Sequence, residues 1–203
     1  MLFEDHYKTI QSPADGVFKD RGSRFVGMAF PITNEQEVKK YLQEVRKQHY
    51  QCNHHCYAFR LTTDPRIFRY SDDREPSGTA GKPILGQIQS KDLTDVLVVV
   101  ARYFGGTLLG VPGLINAYRM AAADVLNKAI IVTKTLNDVF EIAFAYEATN
   151  EVLQWLRSEQ VVIREQQYED PSKIIFEIRR SRTETLMQKL KNNYGLSVEL
   201  KHC

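Results

Sequence analysis

Val38, Tyr41, Leu42 and Val45 recur at the spacing of one helical face. Asn34 stands ahead of them as an N-cap, with Glu37 three residues on to close a capping box, so the spacing predicts a helix over 35–48. Residues 24–30 alternate well enough for a strand, and 55–61 and the short 67–70 read the same way. Ile84, Leu85 and Ile88 mark a helix that starts after a Gly-rich turn. Residues 96–100 are apolar without alternation, the signature of a strand buried on both faces. Pro112 suits the first turn of a further helix ending near Lys128.

Beyond about residue 135 the elements follow one another more regularly. A strand over 138–146 carries Val139, Phe140, Ile142 and Phe144, and a helix over 150–159 buries Val152, Leu153, Trp155 and Leu156. Strands over 161–168 and 173–179 are joined at Glu169-Asp170-Pro171-Ser172. A helix over 183–193 turns Leu186, Met187 and Leu190 inward, Gly195 stops it, and 196–200 is the last strand. The order βαββαβ is the split ferredoxin-like plan. Thr133-Lys134-Thr135 reads as a linker, which divides the chain into domains 1–134 and 135–203.

Composition narrows this only a little. The 203 residues are 43% apolar and 26% charged, the mix of a globular protein. No apolar run approaches the ~20 residues of a membrane span, and the N-terminus MLFEDHYKTI lacks the layout of a signal peptide. Three cysteines make no disulfide framework, so a cytoplasmic protein is expected. Residues 1–135 hold 18 Lys+Arg against 14 Asp+Glu, a net +4, whereas 136–203 hold 9 against 11, a net −2. That split fits either an anionic partner for the first part or the ordinary variation of a solvated surface.

The candidate chemistry gathers at two Gly-rich turns around the buried strand. In Glu75-Pro76-Ser77-Gly78-Thr79-Ala80-Gly81-Lys82, small residues sit beside two hydroxyls, an acid and a base. Pro76 and Pro83 break the phosphate-loop pattern, which leaves a helix start whose N–H groups either hold a phosphate or are capped without one. In Arg102-Tyr103-Phe104-Gly105-Gly106-Thr107, a cation and two aromatics end the strand. Arg102 follows an apolar run and must pair with a carboxylate such as Glu75, face a ligand, or do both. His49, Cys52, His54, His55 and Cys56 suggest zinc, but their spacing lacks a Cys-x2-Cys pair, and no metal or other cofactor is expected. Ser77 near Asp72, Asp73 and Glu75, with His54 or His55, is a conceivable nucleophile, although no G-x-S-x-G elbow is present and no catalytic residue is assigned. The ligand-binding candidates are His54, His55, Asp72, Glu75, Ser77, Thr79, Lys82, Arg102 and Tyr103.

These motifs resemble the IMPACT family and its bacterial YigZ-like branch. The resemblance rests on His54-His55-Cys56-Tyr57-Ala58, on Asp72-Asp73 with Glu75 to Pro83, and on Val98-Val99-Val100 with Arg102 to Gly106, Leu109-Gly110, Gly113-Leu114 and Ala117-Tyr118. It covers roughly 20–130, with the remainder similar to the small domain of bacterial members. Arg74 and Pro112 stand where the family usually has glycine. The resemblance implies an α+β fold in two domains. The first is similar to the second domain of a small-subunit ribosomal protein and to domain IV of elongation factor G. The second is similar to domain V of that factor. It also implies a regulator of translation or stress response that binds RNA, the ribosome or a translation-associated protein. Eukaryotic relatives compete for the activator of a stress kinase through a further domain of their own, and that role is not carried over. The alternative is an enzyme or binding protein for a small phosphorylated or acyl substrate held between the two turns.

Overall fold

The computed structural model describes residues 5–61, 67–193 and 197–201. The described chain divides into two compact units, Tyr7–Lys134 and the described residues from Thr135 onward together with Asp5 and His6.

In the first unit, β2 (Ala14–Asp20) and β3 (Ser23–Pro31) form a hairpin, α1 (Glu35–Gln48) follows, and β4 (His54–Arg60) and β5 (Phe68–Ser71) form a second hairpin. Then come α2 (Gly81–Ser90), β6 (Val96–Tyr103) and α3 (Gly110–Lys128). The five strands are antiparallel in the order β2-β3-β6-β4-β5, so β6 lies at the centre. Its unbroken apolar run is explained by helices on both sides. Val96, Val98 and Val100 pack with α2 and α3, and Leu97, Val99 and Ala101 pack on the α1 face. α1 starts as its sequence dictates: the Asn34 side chain accepts from the Glu37 N–H at 3.0 Å. The Glu37 carboxylate reaches back one residue further than a capping box does, to the N–H of Thr33.

The second unit holds β8 (Asn137–Phe144), a single 3-10 turn at Tyr146–Ala148, α4 (Thr149–Ser158), β9 (Val162–Gln167), β10 (Ser172–Arg179), α5 (Arg180–Asn193) and β11 (Ser197–Lys201). The sheet is antiparallel in the order β11-β8-β10-β9. One face packs Phe140, Ile142, Ile174, Phe176 and Ile178 against α4 and α5 through Val152, Leu156, Leu186 and Leu190. Tyr146, expected in the strand, lies in the 3-10 turn, and Gly195 and Leu196 fall outside the described residues.

Two differences from the sequence reading concern the chain ends. The stretch expected as a linker, Thr133 to Thr135, belongs to β7 (Ile131–Thr135), which pairs with β1 (His6–Ile10) in a two-stranded ribbon. The first described residue, Asp5, goes with the second unit because its groups are engaged there. Its carbonyl accepts from the Leu136 N–H at 2.6 Å, and its carboxylate accepts the Ser181 N–H at 2.7 Å in the first turn of α5, where the helix dipole favours an anion. Among the described residues, no helix is long and apolar enough to cross a membrane.

Candidate functional site

β6 delivers Arg102 to the end of the first unit's sheet, opposite Phe25 of β3 and His54 of β4, so all three face the α2–α3 side. Arg102 is buried, and its Nη1 donates to Glu75 Oε1 at 2.7 Å. The same oxygen accepts the Tyr118 hydroxyl at 2.7 Å, and His54 Nε2 stands 4.0 Å away. The Arg102 guanidinium lies 5.6 Å from the Phe25 ring centre and 5.6 Å from that of Phe104, between two aromatic faces. Cys56 donates to the Asp72 carbonyl at 3.0 Å and lies 3.4 Å from the Tyr118 oxygen. Burial pushes the Cys56 thiol and the Tyr118 phenol far up, so both stay protonated. The result is a chain of buried and half-buried polar groups that meet at Glu75, with the Arg102 Nε left without a partner.

The first Gly-rich turn begins α2, and its N–H groups converge on an anion. That anion is the protein's own. Asp72 Oδ2 accepts from Gly78 N–H at 2.9 Å, and Oδ1 accepts from Ala80 and Gly81 at 3.0 and 2.8 Å. Of the two readings left open, the start capped by the protein itself fits: the dipole and donor argument holds, and an internal carboxylate satisfies it. Thr79 is buried and donates its hydroxyl to the Pro76 carbonyl at 2.7 Å. Gly81 is required because a Cβ there would lie 2.8 Å from the Ser71 nitrogen. Ser77 and Lys82 are exposed. His54 turns Nδ1 to the Asp73 carbonyl at 2.8 Å rather than serving Ser77 as a base.

The second turn is also explained by the protein itself. A Cβ on Gly105 would meet the Gly22 carbonyl carbon at 1.9 Å, so the β2–β3 turn crosses this backbone directly, and Gly105 N–H donates to Ser23 Oγ at 3.1 Å. No ligand is needed to account for this glycine.

His55 and Tyr103 are not with the others. Alternation along β4 and β6 places them on the α1 face. Tyr103 lies beneath the Arg24 guanidinium at 4.4 Å, and its hydroxyl is 2.8 Å from His49 Nδ1. His55 donates its backbone N–H to Asp73 Oδ2 at 2.7 Å, and its Nε2 lies 3.2 Å from the His49 carbonyl and 3.1 Å from Cys52 Sγ. Burial lowers the pKa of both His49 and His55, and at His49 the Arg24 charge adds to the effect. Both are therefore neutral at pH 7. On this side Arg46, Tyr50, Cys52, Asn53, His55, Asp73 and Arg74 line an open cleft of about 640 Å³. Among the described residues, no group of three or more His, Cys, Asp or Glu is placed to hold a metal.

The nine candidates thus meet at one end of the sheet but divide between its two faces, with Asp72, Glu75 and Thr79 engaged internally. Sequence reasoning missed Tyr118, Tyr50 and Arg46 as members of this region. Tyr118 carried a usable signal: a tyrosine on the apolar face of an Ala-rich helix must find a partner for its hydroxyl.

Residues 21–126 match the family profile described as the Impact N-terminal domain. The chain is 32% identical over 164 residues to the IMPACT family member YvyE of Bacillus subtilis, a match covering 81% of this chain and 76% of the relative. It is 35% identical over 126 residues to the IMPACT family member YigZ of Escherichia coli, covering 61% and 62%. A crystal structure described as that of a hypothetical protein superposes with a TM-score of 0.73 at 26% identity, over 99% of this chain and 98% of that one.

Proposed function

The chain belongs to the IMPACT family, and on that premise we propose that it regulates translation through an RNA contact made by the end of the first unit's sheet. One observation carries the reading. Arg21, Arg24, Arg46, Lys47, Arg74 and Lys82 are exposed around that end, beside Tyr50, Tyr103 and Phe104. Of the acids that accompany them in sequence, Asp72 and Asp73 turn to backbone N–H groups and Glu75 to Arg102 and Tyr118, while Asp20 is half-buried and Glu44 is exposed. Cations outnumber acids on what faces water there, and aromatic rings stand among them, charges for phosphates and rings for bases.

The family resemblance gives the direction, since its eukaryotic members regulate translation and the related domains of elongation factor G contact RNA. The βαββαβ order and the strand order of the second unit support reading it as a ferredoxin-like domain similar to domain V of that factor. The free thiols of Cys52 and Cys56 support a cytosolic setting. A small phosphorylated substrate is less well served, because the N–H groups at the start of α2 already hold Asp72.

The test is ultraviolet crosslinking of the full chain to RNA in a translating extract, with the crosslinked peptides identified. Crosslinks are expected in the peptides that carry Tyr50, Arg74 and Phe104. Crosslinks confined to the second unit, or none, contradict the proposal.

A further inference from the structure

We infer that the cleft on the α1 side of the first unit seats a single unstacked nucleotide of single-stranded RNA, with its base on Tyr50 and its phosphates at Arg46 and Arg74. The inference rests on the RNA reading above and narrows it to one kind of strand and one set of residues.

Three observations support it. Tyr50 is 75% exposed, the most exposed aromatic among the described residues, and it lies at the rim of the cleft rather than in any apolar cluster. A ring held open to water beside cations is a stacking platform for any base. The cleft, at about 640 Å³, falls in the usual range of small-ligand sites. A duplex keeps its bases stacked inside, so only a single strand can place one here.

The second observation is the loop that presents Arg74. Asp73 and Arg74 have φ of 38° and 70°, two successive non-glycine residues in the left-handed region. The loop is held there by every polar group of Asp73. Its N–H donates to Ser71 Oγ at 3.2 Å, its carbonyl receives His54 Nδ1 at 2.8 Å, and its carboxylate receives the His55 N–H at 2.7 Å. Strain that the surroundings hold in place gathers at binding sites. Here it sets an arginine on the cleft wall across from Arg46, which comes from the last turn of α1.

The third is the character of the floor. The one carboxylate in the cleft, Asp73, is bonded to backbone, and the neutral His55 and the thiol of Cys52 carry no charge against a phosphate. Asn53 supplies an amide, donor and acceptor together, which suits the polar edge of a base.

The experiment titrates the full chain against a labelled oligouridylate about 12 nucleotides long and against the same strand annealed to its complement, at several salt concentrations. Tyr50→Ala is expected to weaken single-strand binding about 5- to 150-fold, the range carried by one lost base–aromatic stack, with an unchanged salt slope. Tyr50→Phe is expected to bind as the parent does. Arg46→Gln with Arg74→Gln is expected to flatten the slope by about 1.4, two lost phosphate contacts. If the parent binds with a steep salt slope but all of these variants stay within about two-fold of it, the cleft is wrong and the RNA reading stands. Tighter binding of the duplex than of the single strand also overturns the cleft. If the parent does not bind at roughly 50 mM salt, both readings fall. Melting curves of the variants guard against misfolding, and exposure of Tyr50 makes an unchanged melt the expected control.

Discussion

Each unit contains an arginine–glutamate pair, Arg102 of β6 with Glu75 of the loop before α2 in the first and Arg164 of β9 with Glu177 of β10 in the second, and the two differ in nearly everything but length. Arg102 and Glu75 of the first unit meet at 2.7 Å with side chains 8% and 3% exposed. Arg164 and Glu177 of the second meet at 2.5 Å with side chains 48% and 17% exposed. The cause is architectural. Helices cover both faces of the first sheet, so a charge on its central strand is buried and must be paired. Helices pack one face of the second sheet, and the other carries Glu141, Lys173, Arg164 and Glu177. The buried network fixes the end of the first sheet, and the exposed cations around it inherit that rigidity. The more exposed pairs of the second unit add little stability.

The largest expected effect follows directly. Glu75→Ala leaves Arg102 and Tyr118 buried without their acceptor and should cost about 3–5 kcal/mol. Glu177→Ala should cost less than about 1 kcal/mol. The single tryptophan, Trp155, reports on the second unit by fluorescence, and amide exchange along β6 reports on the first. Equal costs for the two variants would dissolve the distinction between the pairs.

A smaller effect separates the units by pH. His49 and His55 have pKa values lowered by burial in the folded first unit, whereas the unfolded chain keeps them near 6.5. The unfolded state therefore binds more protons as pH falls, so the stability is present above about 6.5 and is lost below it. Denaturation midpoints of the first unit should fall between pH 7 and 5, and His55→Gln should flatten that trend. A first-unit midpoint that rises on acidification would contradict this.

The smallest effect has two signs. Arg74→Gly relieves a φ of 70° and should raise stability by up to about 1 kcal/mol, while removing one phosphate contact from the proposed cleft. Loss of stability without any change in RNA affinity would make Arg74 a structural residue only.

Much of this was legible in the sequence because periodicity reports burial. α1 matches its predicted bounds, Asn34 caps it, and the unbroken run of β6 meant two covered faces. β1, β2 and β7 were not legible. His6–Ile10 and Ile131–Thr135 mix polar and apolar residues and pair with each other across the chain, so neither shows a core face of its own. In the site, the sequence showed that Arg102 needed a partner and that a Gly-rich helix start either held an anion or was capped without a ligand. It could not show that Asp72 is that anion, because local spacing does not tell which of Asp72, Asp73 and Glu75 turns to the helix and which to the strand. Nor did it show that His55 and Tyr103 face away from Arg102, although alternation along β4 and β6 contained that fact once both strands were placed.

Whether the cationic end of the first unit holds RNA is decided most directly by how affinity for a single strand depends on salt. The full chain is to be compared with a variant in which Arg21, Arg46, Arg74 and Lys82 are all glutamine. Each lost phosphate contact should reduce the slope of log affinity against log salt by about 0.7, for a total change near 3, with melting unchanged since all four side chains are exposed. An unchanged slope and affinity in that variant would place any RNA contact elsewhere and contradict the assignment of this surface.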